Sequence, residues 1–261
     1  STFIKKFMEA LVIPNIRDEN ERERARDEMP QSAAGKTVMT TEPKFIPDEA
    51  AEITLADNAV MKVKIIDCVG YIIPDVIGHI EDGHPRMVHT PWQSEPMPFI
   101  EAAELGTRKV INEHSTVGML VTTDGTIGEL PRENYVEAEE RVVRELKEIN
   151  KPFAIILNSA NPRSDTAVSL AYKLEEKYSA PVALVNCLEL DSDDIRHILE
   201  LVLCEFPICE IKVKLPDWLN ALELTHSLRG ELNDFIMERA SAVTKIGEIS
   251  RIFTDVGQSD I

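Results

Sequence analysis

Short apolar segments alternate with amphipathic segments between residues 100 and 205, and this alternation constrains the fold more than any other feature of the sequence. The apolar segments are typical of strands. The amphipathic segments are typical of helices, because their apolar residues recur three and four positions apart. The predicted strands are 116–122, 153–158 and 181–186, and the predicted helices are 100–113, 133–150, 165–178 and 191–205. The strand candidate 60–67 begins the same order, which favours an α/β fold with a mostly parallel sheet and helices on both faces.

The first hundred residues contain a helix, two strand candidates and an irregular segment. Apolar residues at helical spacing predict a helix over residues 1–11. Two strand candidates, 51–56 and 60–67, flank Asp57-Asn58, which is a plausible hairpin turn. Residues 71–99 are rich in proline and are expected to form a long irregular insertion; loops of that length are usually functional or mobile.

The residues after Pro207 break the alternation of strands and helices. Residues 208–215 alternate as a strand would, and residues 217–243 are typical of one long helix interrupted at Gly230. We therefore expect a domain boundary near residue 206. The first domain would be 1–206, and residues 207–261 would begin a second α+β domain.

The charge balance narrows the choice of partners. Lys and Arg total 28 against 46 Asp and Glu, which gives a formal net charge of -18 at pH 7. A protein that grips the nucleic-acid backbone usually needs the opposite balance, so no nucleic-acid partner is expected. The same excess disfavours direct docking on an anionic membrane. The four cysteines form no C-x-x-C pair, which favours a reducing cytoplasm over a disulfide framework.

Three polar segments are predicted to lie at the carboxyl edge of the sheet, where open α/β folds bind their ligands. Ser1-Thr2 stands at a helix start, Thr40-Thr41 lies in a polar loop, and Asp67-Cys68-Val69-Gly70 begins where an apolar strand ends. Taken singly, such segments are usually a helix cap or a turn. Their order along one α/β chain favours a nucleotide phosphate site instead.

Each of these residue types has a role in phosphate chemistry. An acid at a strand end, here Asp67, holds Mg²⁺ through water, and Gly70 lets a backbone N–H approach the terminal phosphate. The Ser1 hydroxyl would ligate Mg²⁺ directly, and Thr40 would complete the metal shell when the γ-phosphate is present. The order predicts a P-loop NTPase of the GTPase-like (TRAFAC) class. Its first strand and glycine-rich loop are expected before residue 1.

The segment after strand 153–157 bears on the choice of base. It reads Asn158-Ser159-Ala160-Asn161, where a guanine-binding protein carries Asn-Lys-x-Asp. Asn158 is therefore a predicted nucleotide-binding residue. Asn161 cannot offer guanine a purely accepting carboxylate, so guanine preference should be weak or lost and adenine is the plausible base.

Tyr71 follows Gly70 at the position of the water-orienting Gln of many such enzymes. Hydrolysis then needs another group. Thr40 and Thr41 are the nearest polar candidates in the sequence, so they and Asp67 are the predicted catalytic residues.

Four segments closely resemble the stage IV sporulation protein A family, the coat-assembly ATPases of endospore-forming bacteria. They are residues 27–45, 67–71, 122–128 and 205–207. The resemblance runs from residue 1 to at least residue 225. It implies a GTPase-like fold that has switched to ATP, and Mg²⁺-dependent hydrolysis of ATP to ADP and phosphate. That hydrolysis would be coupled to polymerisation into a basement layer on the outer forespore membrane.

The resemblance also implies roles for single residues and partners. Ser1 would complete a Walker A motif, Asp67 would be the Walker B acid, and Thr40 and Thr41 would sense the γ-phosphate. The implied partners are further copies of the chain, and coat and membrane-anchoring proteins bound through a C-terminal region of the longer family members. The membrane would be met only indirectly. The implied location is the mother-cell cytoplasm at the outer forespore surface.

Three functions remain open at this point. The leading one is an ATPase whose product is a structural change, since no pocket for a second small substrate is indicated. The second is a GTP-binding switch of the same fold with a degenerate base motif. The third is an assembly scaffold that no longer hydrolyses nucleotide. Base preference separates the first two, and a hydrolysis assay separates both from the third.

Overall fold

The computed structural model describes residues 2–29, 43–54, 60–81, 83–223 and 226–249. The chain divides into two compact units, Ser1–Leu199 and Glu200–Ile261. The boundary predicted near residue 206 lies a few residues beyond this division, and the second α+β domain remains a prediction. No helix among the described residues combines the length and the hydropathy needed to cross a membrane.

A three-stranded parallel sheet forms the centre of the first unit. It contains β7 (Gly118–Thr123), β8 (Phe153–Asn158) and β9 (Val182–Val185), in that order. The central strand β8 is apolar almost throughout, and residues 154–157 have no exposed surface. A parallel strand covered on both faces needs such a continuous apolar run. The parallel sheet and the predicted strand 153–158 are confirmed.

Two helices connect these strands, a third follows β9, and together they supply much of the core around the sheet. They are α5 (Glu133–Glu148), α6 (Asp165–Tyr178) and α7 (Ser192–Cys204). Side chains of α5 and α6, among them Val143, Leu146 and Leu174, pack with Phe153 and Leu157 of β8 in one cluster. Burying each large apolar side chain contributes about 1.5–3 kcal/mol. The sheet therefore has a rigid base from which the loops at its carboxyl edge project.

An antiparallel hairpin lies earlier in the first unit. It pairs β1 (Lys44–Thr54) with β2 (Val60–Asp67), with a register shift between Ile46 and Ala51. The strand predicted over 51–56 thus begins earlier, at Lys44. The predicted turn at residues 57–58 lies outside the described residues. Among the described strands β2 pairs with β1 alone, so the expected parallel sheet holds for β7 to β9 and not for this hairpin.

The N-terminal helix is longer than predicted. It runs through α1 (Thr2–Phe7), a π-helical turn (Met8–Val12) and α2 (Ile13–Asn15). A separate charged helix, α3 (Glu19–Asp27), follows it, and the side chain of its N-cap Asp18 accepts from the backbone. The predicted helix over 1–11 is therefore confirmed in its described residues and extended.

The proline-rich insertion is more regular than expected. Two short antiparallel ribbons form its second part: β3 (Ile80–Glu81) with β4 (His84–Pro85), and β5 (Met87–Thr90) with β6 (Gln93–Pro98). Proline is tolerated there because both strands of a two-stranded ribbon have a free edge. The ribbons lead into α4 (Phe99–Lys109), which a π-helical turn extends to His114.

The second unit departs most from the sequence-based prediction. Residues 208–215 form no strand, and the alternating pattern finds no partner strand among the described residues. Instead of one helix over 217–243, the unit has α8 (Asp217–Asn220) and α9 (Ser227–Ser241). α8 ends at Asn220, and Gly230 lies within α9 rather than at an interruption, so this part of the prediction was wrong.

Candidate functional site

The loops after β7, β8 and β9 lie together, because the carboxyl ends of parallel strands meet at one edge of a sheet. Asn158, the last residue of β8, is opposite Thr123 of β7 and Val185 of β9. Its side-chain oxygen accepts from the backbone N–H of Cys187 at 2.9 Å. The predicted nucleotide-binding residue Asn158 therefore joins the loop after β8 to the loop after β9.

The loop after β7 is joined to the loop after β8 through Asp124. The Asp124 carboxylate accepts from the backbone N–H of Thr126 at 2.9 Å and from the Thr126 hydroxyl at 2.5 Å. The Thr126 hydroxyl oxygen accepts in turn from the backbone N–H of Ala160 at 2.9 Å. Ser159 donates to the same carboxylate.

The electrostatics of this link favour an ionised Asp124. Partial burial opposes ionisation and would by itself raise the pKa of the carboxyl. The hydrogen bonds from Ser159 and Thr126 outweigh it, because they stabilise the charged form, and the pKa of Asp124 is lowered below its usual value.

Ser159 occupies the position where a guanine-binding protein carries Lys, and its side chain is completely buried. Its hydroxyl oxygen accepts from the backbone N–H of Asn161 at 3.1 Å. The Ser159 side chain therefore stabilises the conformation of its own loop.

Sequence reasoning missed Asp124 and Thr126, since the segment 122–126 reads as a turn after a strand. Only the contact between Asp124 and Thr126 could be inferred from the local sequence. An Asp whose oxygen accepts from the N–H two residues on is a common turn arrangement. The hydrogen bonds to Ser159 and Ala160 join segments more than 30 residues apart. No pattern of residue spacing in the sequence predicts them.

The segment Asp67–Gly70, called the acidic turn below, follows the end of β2 as predicted. Asp67 is the last residue of the strand, is half-buried, and lies opposite Lys44 of β1. Gly70 has a φ of 81°, in the left-handed region that favours glycine. A Cβ placed on Gly70 would meet no heavy atom of the described residues within 4 Å, so the space beside its backbone is open.

Cys68, within this turn, and Tyr71, directly after it, have different environments. Burial first, and then the neighbouring Asp67 carboxylate, raise the pKa of the Cys68 thiol, which keeps it neutral. The Tyr71 hydroxyl donates to Glu145 of α5, and the Arg141 guanidinium lies 3.7 Å from the centre of its ring. Burial, followed by the hydrogen bond to Glu145, raises the pKa of Tyr71.

Tyr71 is thus a buried contact between the acidic turn and α5, with 8% of its surface exposed. Arg141, which covers its ring, also makes two hydrogen bonds to Glu104 of α4, at 2.9 and 2.7 Å. These contacts occupy the side chain at the position of the water-orienting Gln, which agrees with the expectation that hydrolysis needs another group.

The other predicted site residues are only partly described. Thr2 is half-buried in the first turn of α1. Ser1, Thr40 and Thr41 lie outside the described residues. Within the described part of the chain, no three His, Cys, Asp or Glu side chains are grouped to hold a metal. One carboxylate is enough for Mg²⁺, which is usually held by one or two carboxylates together with waters and phosphates, so Asp67 fits that ion.

A parallel sheet with interlinked carboxyl-edge loops is the architecture of an α/β nucleotide-binding domain. The strand-terminal acid Asp67 and the open turn at Gly70 lie at the end of the β1–β2 hairpin, so among the described strands they do not stand at the edge of that sheet, where the sequence predicted them. Residues 1–207 match the family model for the ATPase domain of stage IV sporulation protein A. The chain therefore belongs to the stage IV sporulation protein A family. That ATPase domain implies a P-loop NTPase, and the parallel sheet of β7 to β9 is compatible with it.

Individual relatives agree with the family match. The chain is 47% identical over 258 residues to stage IV sporulation protein A of Bacillus anthracis, covering 99% of this chain and 52% of the relative. It is 46% identical over 258 residues, with the same coverage, to that of Bacillus subtilis (strain 168). It is 47% identical over 252 residues to that of Clostridioides difficile (strain 630), covering 97% of this chain and 51% of the relative. The chain thus spans about half the length of the curated relatives it matches. No solved structure gives a significant match.

Proposed function

We propose that this domain binds ATP with Mg²⁺ and hydrolyses it to ADP and phosphate, and that the hydrolysis drives self-assembly into the basement layer of the bacterial spore coat. The acidic turn is the observation that carries the proposal. Asp67 ends β2, and Gly70 turns beside it with open space next to its backbone. A phosphate site of the GTPase-like P-loop class needs these two features in this order.

Asp67 holds Mg²⁺ through water in this proposal, and the N–H of Gly70 meets the terminal phosphate. Ser1 is a direct metal ligand, with Thr2 beside it, and Thr40 completes the metal shell. Thr41, with Thr40, responds to the γ-phosphate. The ion, when bound, neutralises charge on the phosphate oxygens. Because Tyr71 is bound to α5, the threonine pair is left to position the attacking water.

ATP is the proposed nucleotide because of the loop after β8. Ser159 is buried within its own loop, and Asn161 carries an amide in place of a carboxylate. Guanine presents two donors, at N1 and N2, and needs two acceptors. An amide offers one donor and one acceptor, which matches the edge of adenine. The alternative of a GTP-binding switch has no comparable support.

The product of the reaction is a structural change in this proposal. The partners are further copies of the protein, together with other spore coat proteins and membrane-anchoring proteins that contact the remainder of the longer family members. The place of action is the mother-cell cytoplasm, at the outer forespore surface. The TRAFAC class and a second α+β domain from residue 207 complete the proposal.

The test is turnover of ATP and GTP by the full-length protein with Mg²⁺. We expect ATP to be used with the higher kcat/KM, and Asp67→Ala and Ser1→Ala to abolish hydrolysis, because loss of a metal ligand removes several kcal/mol of charge stabilisation. Asp193→Ala is the matched control, since the Asp193 side chain is 84% exposed and pairs at the surface with Arg196.

Each other outcome points to a rival function. A tenfold or greater preference for GTP would favour the GTP-binding switch. Absence of hydrolysis by the unaltered protein would favour the passive scaffold. Near-normal turnover in both Asp67→Ala and Ser1→Ala would mean that the phosphate site lies elsewhere.

A further inference from the structure

A chain of hydrogen bonds connects the loop after β8 to the loop after β7. The backbone N–H of Asn161 donates to the Ser159 hydroxyl oxygen at 3.1 Å, and the Ser159 hydroxyl donates to the Asp124 carboxylate. Asp124 belongs to the loop after β7. One carboxylate of the loop after β7 therefore takes part in holding a loop that follows a different strand.

Thr126 provides a second connection between the same two loops. Its hydroxyl donates to Asp124 at 2.5 Å and accepts from the backbone N–H of Ala160 at 2.9 Å. Ala160 lies between Ser159 and Asn161, so two successive backbone N–H groups of the loop, those of Ala160 and Asn161, are fixed by one network. Asp124 accepts from the Ser159 hydroxyl, the Thr126 hydroxyl and the backbone N–H of Thr126, which leaves it little freedom to serve any other group.

We propose that Asp124 and Thr126 are positioning residues for recognition of the nucleotide base. They would hold Asn161 in the one loop conformation in which its amide distinguishes adenine from guanine. The inference rests on the proposed function, because it assigns these residues to the ATP site of this domain. It adds two residues of the loop after β7 that the motif Asn158-Ser159-Ala160-Asn161 does not contain.

The physical reason lies in what an amide needs in order to discriminate. A carboxylate accepts hydrogen bonds at both oxygens, and rotation by a half turn changes nothing. An amide presents a donor on one side and an acceptor on the other, so its selectivity depends on a fixed orientation. A loop whose backbone is fixed at residues 160 and 161 loses little conformational entropy when the base binds.

The experiment measures the dissociation constants of the full-length protein for ATP and for GTP, with Mg²⁺, by calorimetry. Asp124→Ala should weaken ATP binding about tenfold, the effect of losing a hydrogen bond to a charged group, and should leave GTP binding nearly unchanged. The ratio of the two constants therefore moves towards one. Asp124→Asn keeps acceptor oxygen in place and should recover most of the ratio, while Asp193→Ala should behave as the unaltered protein.

Thr126 offers a second pair of variants, which keeps the inference testable if Asp124→Ala fails to fold. Thr126 is exposed, so both substitutions should be tolerated. Thr126→Val removes the hydroxyl at nearly constant shape and should lower the discrimination between ATP and GTP several-fold, the size of one lost hydrogen bond. Thr126→Ser keeps the hydroxyl and should preserve it. Hydrogen exchange without nucleotide should show faster exchange at residues 160 and 161 in Asp124→Ala and Thr126→Val.

Equal weakening of ATP and GTP by Asp124→Ala and Thr126→Val would overturn the inference, because it would show a general structural role. An unchanged ratio in a protein that binds ATP would overturn it as well. Failure of the unaltered protein to bind ATP would instead overturn the proposed function, and the inference with it. Loss of discrimination together with rescue by Asp124→Asn and Thr126→Ser would support both.

Discussion

Removing the guanidinium of Arg132 is expected to cost the first unit more stability than removing any exposed charge. Arg132 precedes α5 and makes two hydrogen bonds to Glu139, at 2.5 and 2.7 Å. Glu139 lies within α5 with 3% of its surface exposed, and it also accepts from the Thr122 hydroxyl of β7. The pair therefore links β7, its following loop and α5 in a setting from which water is largely excluded.

The magnitude follows from the burial. Removal of one partner of a buried ion pair leaves an uncompensated charge and costs about 3–5 kcal/mol. We expect Arg132→Met to lower the free energy of unfolding by about 4 kcal/mol, which corresponds to a fall in Tm of roughly 10 °C for a unit of this size. The assay is urea unfolding followed by circular dichroism, with the Tm from calorimetry.

The control is the next ion pair along α5. Lys177 meets Glu140 at 2.6 Å, but both side chains are nearly half exposed, so Lys177→Met should cost less than about 1 kcal/mol. Arg132→Met combined with Glu139→Leu should recover part of the loss, because no buried charge is left without a partner. An equal effect of Arg132→Met and Lys177→Met would refute the reasoning.

Three further predictions concern the candidate site. The double variant Thr40→Ala, Thr41→Ala should still bind ATP within about tenfold but hydrolyse it poorly and fail to assemble, because the loop responds to the γ-phosphate rather than providing the main phosphate contact. Normal assembly by that variant would exclude the pair as the switch. Gly70→Ala should reduce stability by about 1–2 kcal/mol in denaturant unfolding, because an alanine is strained at a positive φ. The lowered pKa of Asp124 means that its contribution to stability is full above the ordinary Asp pKa of about 3.9 and is lost as the pH falls through the lower folded value. The stability difference between the unaltered protein and Asp124→Ala should therefore shrink below about pH 4 in acid unfolding curves, and a constant difference would contradict this.

Local sequence patterns predicted the elements that the core itself defines. The strand over 153–158 was found with its bounds, because a fully buried central strand must be apolar at every position. The helix over 165–178 was found equally well, since Ser164 caps its first turn and the chain turns to a positive φ at Ser179. In both cases the signals that define the element lie within it or directly beside it in the sequence.

The features that the sequence predicted wrongly or not at all depend on contacts between distant segments. The alternating segment 208–215 has the pattern of a strand, but a strand also needs a partner, and the alternation alone does not supply one. The link from Asp124 to Ser159 depends on two loops meeting at one edge of the sheet, and only the tertiary fold brings them together. Of the predicted site, Asp67, Gly70 and Asn158 could be placed, and their chemistry was readable from the sequence because each stands directly at a strand end or in the turn after it.

Assembly of the full-length protein as a function of nucleotide tests the central claim most directly. Sedimentation with Mg²⁺ should yield polymer with ATP and little with a non-hydrolysable ATP analogue, and Asp67→Asn should yield little with either, while Asp193→Asn assembles normally. Equal polymer formation with ATP and with the analogue, or full assembly by Asp67→Asn, would contradict the claim that ATP hydrolysis in this domain drives assembly.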